Sequence, residues 1–228
     1  MADAEPAAPG ASSGKMADLG VRTLSALLLI ALVLADLWVG GWAFEALLAL
    51  GGIVLLYEWI RLVRLRGLPF GASALWVAGG IAYVSMAMAG LMVERHAGLA
   101  LALWTFLIVW ATDIGAYFAG RFIGGPKLAP AISPAKTWSG LLGGMLAALA
   151  IGAGFALWQG LPSNTLWLGA PLAVLAQAGD LLESHMKRRA GVKDSGRIIP
   201  GHGGLFDRVD GLLPVAIVVG LLTMRGWL

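Results

Sequence analysis

Residues 98–120 read GLALALWTFLIVWATDIGAYFAG, and Asp113 is the only charged side chain among them. A stretch of about 20 apolar residues is long enough to cross the hydrocarbon core of a bilayer as one helix. Because a charge inside a spanning helix is costly, Asp113 is expected to face the protein interior beside a partner. This stretch therefore predicts a membrane-spanning helix that carries one carboxylate.

The same composition extends through most of the 228 residues. Of these, 59% are hydrophobic and 13% charged, and the mean hydropathy is +0.82. Soluble domains carry about 25% charged residues, so a water-soluble globular fold is excluded, and so is a disordered chain. The absence of cysteine excludes disulfides, thiol chemistry and cysteine zinc sites. We expect an all-α polytopic membrane protein with about seven transmembrane helices.

Six further apolar stretches predict the other spans. They cover about residues 21–39, 42–62, 72–92, 138–158, 164–186 and 209–227. The first is not interpreted as a cleaved signal peptide, because a second apolar stretch begins at Trp42 where a polar mature region would be needed. Residues 1–20, rich in Ala, Pro and Gly, are expected to form a flexible tail, and residues 21–228 a single transmembrane domain.

The positions of lysine and arginine predict the orientation. With the N-terminus in the cytoplasm, all 16 of these residues except Arg95 and Arg225 fall on the cytoplasmic side. Because cytoplasmic segments of membrane proteins retain an excess of Lys and Arg, this asymmetry favours an N-in, C-out topology. A basic cytoplasmic surface also suits anionic headgroups or nucleotides.

Two long cytoplasmic connections carry most of the polar side chains. On a helix, Asp113, Tyr117 and Arg121 share one face at spacings of four residues. The following Gly120–Lys127 stretch lacks the Gly-Lys-Ser/Thr ending of a P-loop, so that interpretation is rejected. Ser133, Lys136 and Thr137, ahead of the fifth span, fit either contacts to phosphate or an ordinary helix cap and turn.

The second connection is denser in charge. Five polar residues share one helix face as the sixth span ends: Asp180, Glu183, Ser184, Lys187 and Arg188. Further polar groups follow before the seventh span: Lys193, Asp194, His202 within residues 200–204, Asp207, Arg208 and Asp210. Carboxylates are the ligands that Mg²⁺ prefers, and clustered cations suit phosphates. A membrane anchor, a loop histidine and a transporter's ion site each explain part of the set, but none explains its density.

The second connection resembles the signature of the phosphatidate cytidylyltransferases (CDP-diacylglycerol synthases). The matching residues are Ser184-His185-Met186-Lys187-Arg188, Lys193-Asp194-Ser195-Gly196 and Pro200-Gly201-His202-Gly203-Gly204-Leu205-Phe206-Asp207-Arg208-Val209-Asp210. The first connection is similar to the family as well, through Asp113-x-Gly115-Ala116-Tyr117, Gly120-Arg121, Ser133-Pro134-x-Lys136-Thr137 and Gly140. Ser139 departs from the pattern, since the family usually has an acid or an amide there. Members often have about nine spans, so one hairpin after residues 57–59 is missing here.

The resemblance implies transfer of CMP from CTP to phosphatidic acid, giving CDP-diacylglycerol and pyrophosphate for phospholipid biosynthesis, with residues 21–228 as the catalytic domain. It implies that Asp180 and Asp207 hold the catalytic metal, with Asp113 close by. The further residues expected to act in catalysis are Lys187, Arg188, Lys193, His202 and Arg208. The residues expected to bind substrate are Asp113, Tyr117, Arg121, Lys127, Ser133, Lys136, Thr137, Glu183, Ser184, Asp194, Gly203, Gly204 and Asp210.

The implied cofactor is Mg²⁺, with a monovalent cation such as K⁺ as a further candidate. The implied partners are CTP, phosphatidic acid, the bilayer and a second copy of the chain, and no nucleic acid is expected. The resemblance places the protein in a bacterial inner membrane with its active site on the cytoplasmic side. Asp36, Glu45 and Glu58 lie near predicted membrane edges and are assigned no catalytic role.

Three rival functions follow from the same residues. A secondary transporter would use Asp113, Asp180 and Glu183 for ion coupling, and inverted repeats would favour it, but none is visible in the sequence. A CDP-alcohol phosphotransferase would need an Asp-Gly-x-x-Ala-Arg start, which is absent. A CTP-dependent lipid kinase shares the substrate logic but not the His-Gly-Gly block.

Overall fold

The computed structural model describes the backbone of residues 11–199 and 203–228, and the side chains of residues 23–199 and 203–228 apart from Ala26. Within these residues the chain forms eight helices and one antiparallel hairpin. In chain order they are α1 (Ala11–Val39), α2 (Gly41–Leu65), α3 (Phe70–Ala97), α4 (Leu99–Phe122), β1 (Lys127–Ala129), β2 (Ser133–Thr137), α5 (Trp138–Gln159), α6 (Thr165–Arg189), α7 (Phe206–Val209) and α8 (Leu212–Met224).

Five of these helices, α2 to α6, are long and apolar enough to cross a membrane. They coincide with the predicted spans at 42–62, 72–92, 98–120, 138–158 and 164–186, with ends that differ by a few residues. The protein is therefore a helical membrane protein. The apolar parts of α1 and α8, Thr23–Val39 and Leu212–Met224, are shorter, so the count of seven spans stays a prediction.

Helix α1 begins at Ala11, within the segment that composition assigns to a tail. Residues 1–10 of that segment lie outside the described residues.

The first polar connection forms a hairpin that the apolar periodicity does not predict. Strands β1 and β2 pair in antiparallel register, with Lys127 opposite Thr137 and Ala129 opposite Ser133. Helix α5 then begins at Trp138, and its N-cap is Thr137, whose Oγ1 accepts a hydrogen bond from the Gly140 N–H at 3.0 Å. The cap expected near Ser133 and Pro134 thus lies at Thr137, because Ser133 and Pro134 belong to strand β2.

Small residues allow α4 and α5 to pack backbone against backbone. A Cβ added at Gly143 would overlap the Cβ of Ala119, and one added at Gly115 would overlap the side chain of Ala147 and the carbonyl oxygen of Gly143. Such close approach is how helices associate in a membrane, where the hydrophobic effect offers no preference between helix and lipid. The pairing fixes the face of α4 that carries Asp113 and Tyr117 beside the start of α5.

A second close approach joins α6 to the start of α8. A Cβ at Gly179 would overlap the carbonyl oxygen of Asp210, and Gly211 packs against Ala176. Helix α8 in turn packs on α3, where Gly90 and Gly220 touch. Because Gly179 has no side chain, Asp210 can lie directly beside Asp180, and the last two apolar helices meet at the end that carries the charged residues.

Candidate active site

A polar cavity of about 530 Å³ opens between α4, the hairpin, α5 and α6. Its volume lies within the range of small-molecule sites, roughly 300–1,000 Å³. It is lined by eight of the predicted site residues: Asp113, Tyr117, Arg121, Lys127, Ser133, Lys136, Thr137 and Asp180. Three of these are cations, so the cavity suits a ligand that carries several negative charges.

Lys136 is held across this cavity by α6. Its Nζ lies 2.6 Å from Asp180 Oδ2 and donates to Gln177 Oε1 at 2.6 Å, and the side chain is largely buried. Gln177 is a lining residue that the sequence reasoning missed. It precedes Asp180 by one helical turn, so the spacing rule that grouped Asp180 with Glu183 also places Gln177 on that face.

Three carboxylates converge near the C-terminal end of α6. Oxygens of Asp180, Glu183 and Asp210 all lie within 4.8 Å of one another. Glu183 is 2% exposed; its Oε2 pairs with Lys187 at 2.6 Å, while its Oε1 has no hydrogen-bond partner among the described residues. Leaving such an oxygen unpaired is costly, and coordination to a hard divalent cation would satisfy it. The donor set therefore fits Mg²⁺.

Asp113 adjoins this group of three. It faces the polar cavity together with Asp180, and its charge interacts with those of Asp180 and Asp210. The predicted nearness of Asp113 to Asp180 is therefore present in the structure. Ser184 steadies the cluster from α6, since its Oγ donates to Asp180 Oδ1 at 3.2 Å.

Asp207 has different surroundings from those predicted for a metal ligand. Its Oδ1 accepts from Lys187 Nζ at 2.7 Å, and its Oδ2 accepts from the backbone N–H groups of Ser195 at 2.9 Å and Gly204 at 2.8 Å. The Ser195 hydroxyl also lies 2.9 Å from Oδ2. Both oxygens of Asp207 are thus engaged, and the carboxylates that converge are those of Asp180, Glu183 and Asp210. The assignment of the metal to Asp113, Asp180 and Asp207 stays a prediction.

The protonation of Asp207 follows from these contacts. Burial by itself raises the pKa of its carboxyl, but hydrogen bonds from the Lys187 ammonium and from the Gly204 N–H outweigh burial and lower the pKa below its usual range. Folding thus lowers this pKa, so the carboxylate stabilises the fold at neutral pH, and that contribution is lost only in strong acid.

Lys187 joins the carboxylate cluster to the loop that follows α6. Its ammonium lies 2.6 Å from Glu183 and 2.7 Å from Asp207, with 15% of the side chain exposed. Without this ammonium, Glu183 and Asp207 would be two buried carboxylates with no cation between them, so Lys187 holds the loop against α6.

The other predicted residues lie at the edge of this network. Arg188, Lys193 and Asp194 are exposed, and a Cβ at Gly203 would crowd both Asp194 and Asp207. Gly203 also has a positive φ of 82°, which favours glycine. His202, with Pro200 and Gly201, lies outside the described residues.

Glu58 is the largest omission from the predicted site. This residue of α2 is fully buried, and its carboxylate accepts hydrogen bonds from the Leu205 and Phe206 N–H groups at 3.0 and 2.8 Å. Spacing gives no signal for these contacts, because the partners lie almost 150 residues later in the chain.

A second, mainly apolar cavity of about 230 Å³ lies beside the polar one. Helix α1 contributes Leu29, Ile30 and Val33; α4 contributes Phe106, Val109, Trp110 and Asp113; and Leu205, Arg208, Val209 and Leu212 complete it. The two cavities share Asp113. Arg208 stands at the apolar cavity, where a cation can face the charged end of a ligand whose remainder is hydrocarbon.

The structure is a helical membrane bundle with two adjoining cavities, one lined by three cations and the other mainly by apolar side chains. Residues 68–224 match the family model described as "Cytidylyltransferase family", and the chain belongs to that family. A phosphatidate cytidylyltransferase of Brucella suis is 36% identical, over 90% of this chain and 93% of its own length. One of Staphylococcus epidermidis is 38% identical, over 89% of this chain and 78% of its own length.

Proposed function

We infer that this protein is a phosphatidate cytidylyltransferase, which transfers CMP from CTP to phosphatidate and releases pyrophosphate. The observation that carries the assignment is the pair of cavities that meet at Asp113, one lined by cations and the other by apolar side chains. CTP is a polyanion without a hydrocarbon part, whereas phosphatidate joins a phosphate to acyl chains. The family and the names of the relatives agree with this pair of substrates.

In the proposed reaction an oxygen of the lipid phosphate attacks the α-phosphorus of CTP. The new bond joins that oxygen to the α-phosphorus, and the bond from the α-phosphorus to the bridging oxygen of pyrophosphate breaks. The attacking oxygen is already an anion, so no strong base is required. The protein's task is to hold two polyanions together and to neutralise the charge that gathers on the leaving group.

The residues of the polar cavity are suited to this task. Arg121, Lys127 and Lys136 face one cavity from α4, β1 and β2, and can meet the triphosphate from several directions. Lys136 is held by Gln177 and Asp180, so it is fixed in place before the substrate binds. On the lipid side, Arg208 and Asp113 mark the polar end of the apolar cavity.

Asp180, Glu183 and Asp210 would hold Mg²⁺. When bound, that cation would neutralise the phosphate charge that the lysines and arginines leave uncompensated. The remaining chemistry belongs to the side chains: Lys187 fixes Glu183 in the cluster, and Gly179 permits Asp210 to approach. A monovalent cation such as K⁺ and a homodimer stay predictions.

Activity is expected to require a divalent cation. Incubation of the purified protein with CTP labelled at the α-phosphate and with phosphatidate vesicles should transfer the label to lipid in Mg²⁺. In excess EDTA the label should stay in the nucleotide, because Asp180, Glu183 and Asp210 would repel the triphosphate. Full turnover in the chelator would refute the metal role. In a parallel incubation with CTP labelled at the γ-phosphate, label that enters lipid while the α-phosphate label does not would indicate a lipid kinase.

We further propose that the N-terminus and the active site face the cytoplasm of a bacterial inner membrane. The placement of every lysine and arginine except Arg95 and Arg225 supports this orientation. When fused after Leu228, a reporter that works only outside the cytoplasm is expected to be active, and one that works only in the cytoplasm is expected to be inactive. A reporter active only in the cytoplasm would contradict the N-in, C-out topology.

A further inference from the structure

Glu58, a buried carboxylate of α2, accepts hydrogen bonds from the loop that follows α6. Glu58 Oε1 accepts from the Leu205 N–H at 3.0 Å, and its Oε2 accepts from the Phe206 N–H at 2.8 Å and from the Ser195 hydroxyl at 2.9 Å. The residue is 0% exposed. Burying a carboxylate costs free energy, which hydrogen bonds such as these offset. If residue 58 only filled space in the core, an apolar side chain there would stabilise the fold at least as well.

A second side chain of α2, that of Arg61, also forms a hydrogen bond with this loop. Arg61 Nη1 donates to the Ser195 carbonyl oxygen at 2.6 Å. Ser195 is fully buried, and its hydroxyl lies 2.9 Å from both Glu58 Oε2 and Asp207 Oδ2. Ser195 therefore links α2 directly to the carboxylate that holds Lys187.

Two glycines of the loop are explained by Glu58. A Cβ added at Gly196 would overlap Glu58 Oε1, and one added at Gly204 would overlap Ser195 Oγ and both oxygens of Glu58. Neither glycine has the positive φ that would by itself favour this residue type. Their lack of a side chain is thus required by the carboxylate that they enclose.

We propose that Glu58 is a positioning residue, whose carboxylate fixes Ser195, Leu205 and Phe206 so that Asp207 and Arg208 stand in place for the transfer reaction. The inference rests on the proposed function for its kinetic consequence. It goes beyond that function by assigning a role in the reaction to α2, which contributes no residue to the polar cavity and lies before the range that the family model matches.

The decisive variant is Glu58→Gln, which keeps the side-chain shape. An amide offers one oxygen and one NH₂ group, so one of the donors now bound by Glu58 would face another donor. We expect kcat/KM for CTP to fall by at least about tenfold, because hydrogen bonds to a charged group are strong. We also expect KM to rise, and trypsin to cleave faster after the exposed Arg197, because loosening the loop opens it locally.

These readouts separate positioning from stability alone. A variant that only lowers the folded fraction reduces kcat in proportion and leaves KM unchanged. Glu45→Gln is the matched control on the same helix, because Glu45 is half exposed and its contact is with His96 at 3.4 Å. It should match the wild type in both assays.

Ser195→Ala provides a second variant in case Glu58→Gln does not fold. It removes the hydroxyl bonded to Glu58 but leaves the packing of α2 intact, and a smaller change in the same direction is expected. Wild-type kcat, KM and trypsin sensitivity in either variant would overturn the proposal. An inactive wild-type protein would instead refute the proposed function, and the trypsin comparison would still test the role of Glu58.

Discussion

Asp180→Asn should reduce the formation of CDP-diacylglycerol by about 100- to 1,000-fold while the protein still folds and inserts. Loss of one group that acts mainly in the transition state typically costs that much in rate. Asp180 converges with Glu183 and Asp210, and it pairs with Lys136 at 2.6 Å. An amide of the same shape would weaken both the metal site and the hold on the lysine.

The Mg²⁺ dependence of the variant gives the diagnostic result. Because one of the three proposed ligands would lose its charge, residual activity should saturate at a higher Mg²⁺ concentration than in the wild type. Asp36→Asn is the control, since Asp36 lies near the C-terminal end of α1 and lines neither cavity. It should remain within a few-fold of the wild type. Near-normal turnover of well-folded Asp180→Asn would show that the metal-assisted mechanism is wrong.

Asp207→Asn should also abolish most activity, but by a different physical route. An amide must turn its NH₂ group either toward the Lys187 ammonium or toward the N–H groups of Ser195 and Gly204, and both directions place donor against donor. Breaking a buried ion pair costs about 3–5 kcal/mol, so we expect a loss of about 100-fold or more. The loop would detach from α6.

Two measurements distinguish this variant from Asp180→Asn. Asp207→Asn should speed trypsin cleavage after Arg197 and leave the half-saturating Mg²⁺ concentration close to that of the wild type. Asp180→Asn should leave trypsin cleavage unchanged and raise the half-saturating Mg²⁺ concentration. The double variant should be little worse than either single one, because Lys187 joins Asp207 to the carboxylate cluster that contains Asp180, so the two residues act as a unit. A large shift in Mg²⁺ dependence for Asp207→Asn would restore Asp207 to the metal site.

Much of the architecture could be predicted from local pattern. Runs of about 20 apolar residues identified α2 to α6, because each helix must satisfy its own backbone within the bilayer. Helical spacing grouped Asp180, Glu183 and Ser184 correctly, and the structure places these three near the C-terminal end of α6. The spans at α1 and α8 stay predictions, since their apolar parts are shorter than those of α2 to α6.

The contacts between distant segments could not be predicted. Asp207 and Asp210 are three residues apart, and only the close approach of Asp210 to Gly179 decides which of them joins Asp180. Glu58 was set aside as a residue at a membrane edge, because nothing in its neighbourhood indicates the loop that it binds. The hairpin could not be predicted, because strands of three and five residues are too short to show a clear alternation of apolar and polar residues.

Oxygen labelling shows whether the lipid phosphate attacks the α-phosphorus of CTP. Phosphatidate carrying ¹⁸O at its three terminal phosphate oxygens would be incubated with unlabelled CTP and Mg²⁺, and the masses of both products would be measured by mass spectrometry. We expect CDP-diacylglycerol that retains all three labelled oxygens and pyrophosphate that contains none. Loss of one label from the lipid product, label in pyrophosphate, or no nucleotide-bearing lipid at all would contradict it.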